Sequence, residues 1–137
     1  MLNFIQAYSI MMQVIFREDI SGYYINVKGS IQDIDIVYFW NETLMTNSYP
    51  NVLIDISGME CKLRTNDFGA TIDAALKEIL KLAKERIAFV SHSILETAFV
   101  DVLREKLCKH GVLSRVFCNV ENAEKWLRIG VEFQVNK

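Results

Sequence analysis

Asn51-Val52-Leu53-Ile54-Asp55-Ile56-Ser57-Gly58 is the stretch that decides the fold. Val52, Leu53, Ile54 and Ile56 are apolar and mostly β-branched, one aspartate interrupts them, and Ser57-Gly58 follows as a stop. This is how a strand covered on both faces reads, and it predicts the middle strand of a sheet. Ile87-Ala88-Phe89-Val90 and Ser114-Arg115-Val116-Phe117-Cys118 repeat the pattern, with helix-length amphipathic segments between them. That alternation predicts an α/β fold, a single domain over residues 1–137 whose mixed, mostly parallel sheet has about five strands and about four helices.

On the carboxyl side, Thr65, Asn66 and Asp67 compete as N-caps of a helix running to about Lys84, with Ile72, Ala75, Leu76 and Ile79 inward. Ser57 to Asn66 is then a connection of about ten residues, longer than the usual 2–6. Ser93-Ile94-Leu95-Glu96 has capping-box spacing, and Phe99, Val102, Leu103 and Leu107 continue an apolar stripe that Gly111 ends. Asn119 caps a last helix with Val120, Ala123, Trp126 and Leu127 on one face, ending near Gly130. Val131 to Val135 alternates and reads as an added edge strand.

On the amino side, Tyr23, Ile25 and Val27 alternate with Tyr24, Asn26 and Lys28. Together with Gln13 to Phe16, across the polar Arg17-Glu18-Asp19, this predicts an antiparallel hairpin. Ser30, with Asp33 three places on, stands as the N-cap of a helix that carries Ile31, Ile34, Val37, Tyr38, Leu44 and Met45 and stops before Asn47-Ser48-Tyr49-Pro50. In residues 1–12 the polar Asn3, Gln6 and Ser9 recur at helical spacing. They predict a helical extension whose apolar face needs cover from the sheet, a second copy of the chain or a membrane surface. Translation starting at Met11 or Met12 is the alternative.

The composition narrows the function classes. Fifteen basic and 17 acidic residues give a net charge of −2, mixed along the chain, so no basic stripe marks a nucleic-acid partner. Cys61, Cys108 and Cys118 form no CxxC pair and are odd in number, which reads as reduced thiols in a cytoplasmic protein. The sequence shows neither a signal peptide nor a transmembrane segment. It also lacks metal-ligand spacing, P-loop, GxGxxG, GxSxG and HExxH, so no metal site and no cofactor are expected.

Parallel sheets place ligands at the carboxyl ends of their strands, which selects Asp55, Ser57 and Gly58, then Ser91, His92 and Ser93, then Cys118 and Asn119. His92 reads as a general base or ligand, or as an exposed polar residue in a β-to-α turn. Asp55 reads as a buried carboxylate bonded to backbone amides, and Cys61 as an exposed loop thiol. Tyr23, Tyr24, Phe39 and Trp40 are either walls of an apolar pocket or core. Two functions compete: a non-catalytic binding module acting through a protein partner or a small apolar ligand, and a small enzyme pairing His92 with Cys61 or Ser57. A homodimer is compatible with either.

Val27-Lys28-Gly29 before a helix, Leu53 to Gly58, Arg86 to Val90, and Arg115-Val116-Phe117 followed by Ala123 and Trp126-Leu127 occur in an order that resembles the STAS superfamily. The closer resemblance, over residues 20 to 128, is to its SpoIIAA-like group, linked in name to Sec14-type lipid-binding proteins. The resemblance implies a SpoIIAA-like α/β fold and a regulatory role through a partner. In the sporulation-type antagonists a serine in an Asp-Ser-Ser-Gly run at the start of the next helix is phosphorylated by a partner kinase. Leu63-Arg64-Thr65-Asn66 stands there in this sequence. The acceptor position falls on Arg64, and Thr65, also a helix N-cap, is the nearest hydroxyl for a phospho-switch.

Overall fold

The computed structural model describes residues 2–7, 10–31, 49–61 and 68–135. They form one six-stranded sheet in the order of the chain: β1 (Leu2–Ala7), β2 (Ile10–Arg17), β3 (Gly22–Ile31), β4 (Tyr49–Cys61), β5 (Ala83–Val90) and β6 (Leu113–Phe117). The pairs β1–β2 and β2–β3 are antiparallel, whereas β3–β4, β4–β5 and β5–β6 are parallel. Helices α1 (Phe68–Leu82) and α2 (Ile94–Lys109) make the last two crossovers, and α3 (Val120–Val135) follows β6. The fold class matches the expectation, with β4 inside the sheet.

The apolar run of β4 is explained by cover on both faces. Val52, Ile54 and Ile56 join Ile87 and Phe89 of β5 beneath Ile72, Ala75 and Ile79 of α1 and Phe99, Leu103 and Leu107 of α2. Leu53 turns the other way and meets Ala88, Val90, Ala123 and Leu127 under α3, together with Ile20. Each fully buried leucine or isoleucine in these layers stabilises the fold by about 1.5–3 kcal/mol of apolar transfer. Alpha2 ends where Gly111 adopts φ 78, and the Val112 amide then donates back to Leu107 O at 3.0 Å.

The switch from antiparallel to parallel pairing happens at a tight junction. Arg17 leads into a 3-10 turn, Glu18–Ile20, closed by Ser21 at φ 54, and Gly22 starts β3. Asn51 of β4 is fully buried against this turn, and its Nδ2 donates to Ile20 O at 2.7 Å. A Cβ on Gly22 would lie 1.6 Å from Asn51 O, so only glycine lets the two backbones approach. Pro50, which has no N–H to give, sits where the β4–β5 register shifts between Tyr49 and Asn51.

The same turn anchors α3. Arg17 donates to Asp19 at 2.7 and 3.0 Å and to Glu124 at 2.8 Å, and Arg128 donates to Asp19 and Glu124, each at 2.9 Å. Burial acts to raise the Asp19 carboxyl, and the hydrogen bonds from Arg17 and Arg128 reverse this, leaving it below its usual range.

Several sequence expectations are corrected. The helical extension expected over residues 1–12 is corrected in residues 2–7 and 10–12, which are strands: β1 and β2 pair there from Leu2↔Ile15 to Ala7↔Ile10. Ser30 is not a helix cap, because β3 continues through it to Ile31, and the rest of the helix expected there, with Phe39 and Trp40, lies outside the described residues. Ser57-Gly58 does not end β4, which runs to Cys61. Beta5 begins at Ala83, directly after α1, rather than at Ile87. Val131–Val135 is helical, not a strand, since α3 passes through Gly130; an interior glycine costs a helix about 1 kcal/mol, too little to stop one held by packing.

The Gly22 contact yields a test. Gly22→Ala should lower unfolding free energy by about 3 kcal/mol or more, because the neighbour it strikes is backbone. Urea denaturation followed by circular dichroism would measure this, and a loss below about 1 kcal/mol would show that the two strands are not so close.

Candidate functional site at the strand carboxyl ends

Asp55 is buried in the middle of β4, where the pairing with β5 ends at Asp55↔Val90, and its Oδ1 accepts the Ser57 amide at 3.0 Å and the Ser57 hydroxyl at 2.6 Å. This local capture coincides with a break in the ladder. Asn26 pairs with Asp55, yet Lys28 pairs with Gly58, so Ile56 and Ser57 together oppose one residue of β3. Such a bulge follows when a side chain takes an amide from the neighbouring strand. Tyr24, on the strand beside Asp55, has its phenol raised above the usual value, by burial first and then by the Asp55 charge, while a hydrogen bond with Asn26 opposes the rise.

Gly58 is exposed, and a Cβ there would come 3.1 Å from Cγ of Lys28, a flexible neighbour. Cys61 is the last residue of β4, and Arg64 and Thr65 lie outside the described residues.

At the ends of β5 and β6 the chain forms an open depression of about 620 Å³, lined by Ser91, His92, Ser93, Thr97, Asp101 and Cys118, among others. The Ser91 amide donates to Phe117 O at 3.1 Å, which splices the end of β5 to that of β6. Thr97, one turn into α2, gives its hydroxyl to Ser93 O at 2.7 Å and shares a 3.2 Å contact with the buried Ser91 hydroxyl. His92 is exposed, and its Nε2 lies 2.5 Å from Cys118 O. Asn119 caps α3 through its Oδ1, which accepts the Asn122 amide at 2.8 Å. Cys108 and Cys118 are exposed free thiols.

The structure therefore brings His92 and Ser93 together with Ser91 and Cys118, and places Asn119 beside them in the chain. Asp55 and Ser57 make a separate pair on β4. Among the described residues no hydrogen bond joins His92 to Ser57. Thr97 and Asp101 were missed from the sequence, although both are polar and stand four residues apart on the first turns of α2, a spacing that puts two side chains over one strand end.

No family model matches the chain, and no curated protein does. Among solved structures, a protein of the DUF3478 family with a SpoIIAA-like fold from Shewanella loihica PV-4 is 17% identical, with a TM-score of 0.53, over 90% of this chain and 97% of that one. An anti-sigma factor antagonist from Mycobacterium paratuberculosis is 16% identical, with a TM-score of 0.51, over 90% of this chain and 99% of that one. The chain has the SpoIIAA-like, STAS-like fold that its order of elements implied. No helix among the described residues is long and apolar enough to cross a membrane.

The Asp55–Tyr24 proximity can be measured. In Asp55→Asn the Tyr24 phenol should titrate at lower pH than in the wild type, because the charge that disfavours phenolate is gone while burial remains. Carbon NMR of the labelled tyrosine ring reads this, and an unchanged titration would separate the two groups.

Proposed function

We propose that this chain is a non-catalytic regulatory module that acts by binding a protein partner at the depression between the ends of β5 and β6. The observation that carries this reading is how the polar groups there are used. Thr97 and Ser93 tie down the turn into α2, the His92 ring is held against the Cys118 carbonyl, and the Asn119 side chain caps α3. These bonds fix the shape of a wide, open surface. Among the described residues the Ser57 hydroxyl donates to Asp55 and not to His92, which speaks against the His92–Ser57 pairing that a small enzyme would use.

The similarity to a solved anti-sigma factor antagonist supports a regulatory role through protein contact, at the level of fold. The openness of the depression favours a protein partner over a small apolar ligand, which would be enclosed by apolar walls. Exposed free thiols fit a reducing, cytoplasmic setting.

A photo-crosslinking residue placed at Ala98, on the rim, tests this in the source cells, with Lys77 on α1 as the control position. A discrete heavier adduct is expected from position 98 and not from 77. Equal labelling at both positions, or a lipid-like mass co-purifying with no adduct at 98, would overturn the reading.

A further inference from the structure

Beta6 is the outermost strand on its side of the sheet. In a parallel ladder, alternate residues turn both backbone groups to the same neighbour. Phe117 O accepts from Ser91 of the β5 side at 3.1 Å, so Leu113, Arg115 and Phe117 turn toward β5 while Ser114 and Val116 turn outward. Arg104 confirms the phase from outside: its Nε donates to Ser114 O at 3.3 Å. The Ser114 N–H and both backbone groups of Val116 are left pointing away from the sheet, with no strand beyond them among the described residues.

Both sides of this edge are shaped. Toward α2 runs a groove of about 640 Å³ lined by Asp101, Arg104, Glu105, Cys108, Val112 and Leu113, among others, with Leu113 54% exposed; Asp101 also lines the depression described above, so the two are adjacent. On the opposite face the Arg115 guanidinium lies 5.5 Å over Phe117 and 5.9 Å from the Trp126 ring, and that of Arg86 lies 5.0 Å over Trp126. Arg86 also donates to Trp126 O at 3.2 Å. Neither arginine has a carboxylate partner among the described residues. Stacking fixes the direction of each cation and leaves its charge unneutralised.

We propose that the open edge of β6 receives an extended peptide that pairs with Ser114 and Val116, sets an acidic side chain opposite Arg115 on the α3 face, and turns its alternate, apolar side chains to the α2 face, over the groove beside Arg104, Cys108 and Val112. Directly opposed side chains on neighbouring strands lie about 4.5–5.5 Å apart, so the residue facing Arg115 meets the charge at contact range. The same geometry disfavours a second copy of this chain as the occupant. Two β6 strands paired antiparallel through Ser114 and Val116 would set Arg115 against Arg115.

The test uses the isotope-labelled full chain and an acetylated heptapeptide alternating valine and glutamate, with the valine–lysine peptide as control. The Glu peptide should shift the amides of Ser114, Arg115 and Val116. Arg115→Glu, an exposed change that leaves the fold intact by circular dichroism, should weaken the Glu peptide about fivefold and reverse the preference toward the Lys peptide. The proposal is overturned by shifts confined elsewhere, by no shift at about 1 mM peptide, or by an affinity that ignores Arg115→Glu. Beta6 shifts that appear with protein concentration alone, together with a doubled mass, would make a second copy the occupant and overturn it equally.

Discussion

The hydrogen bond from the buried Asn51 amide to Ile20 O, at 2.7 Å, holds together two differently built halves of the sheet. To one side lie the antiparallel strands, and to the other the parallel strands with their crossover helices. A buried amide group left unpaired costs about 1–3 kcal/mol, so the tie specifies where β4 starts relative to the turn as well as adding stability. Gly22 makes the approach sterically feasible, and Arg17, Asp19, Glu124 and Arg128 extend the same junction to α3. These ion pairs are partly exposed and individually worth little, but as a closed set they fix how α3 lies across Leu53, Ala88 and Val90.

From that junction the register runs up β4 to the bulge at Ile56 and Ser57, and across β5 to the splice between Ser91 and Phe117. The surface at the carboxyl ends is thus a rigid consequence of packing beneath it. The polar side chains there are spent on caps and turns, and this suits a surface recognised by shape. Beta6 closes the parallel half of the sheet and carries both an edge and a stacked cation, next to the depression at the strand ends.

Much of this was legible in the sequence. The strands around Leu53, Phe89 and Val116, the hairpin from Gln13 to Val27, and the helices capped by Ser93 and Asn119 each had a strong period and a local signal. The failures have physical causes. In residues 2–7 the two strand parities, Leu2, Phe4 and Gln6 against Asn3, Ile5 and Ala7, each mix polar with apolar, so a period of two has no contrast and the helical spacing of Asn3, Gln6 and Ser9 looked stronger. Val131 to Val135 alternates, but Leu127, Val131 and Val135 also fall four apart, and the helix already in progress wins. Of the site, strand ends located His92 and Asn119, whereas Asp55 lies inside β4, which runs on to Cys61. Which of them share a surface depended on register and on the Ser57 bulge, which no local pattern encodes.

Amide hydrogen exchange on the whole chain tests the central claim that a packed, two-sided sheet presents an open edge at β6. The account predicts slow exchange in Val52 to Asp55 and Ile87 to Val90, and within β6 an alternation in which Arg115 and Phe117 are protected while Ser114 and Val116 exchange fast. Equal protection at Ser114, Arg115, Val116 and Phe117 would mean that the edge is covered, and would contradict it.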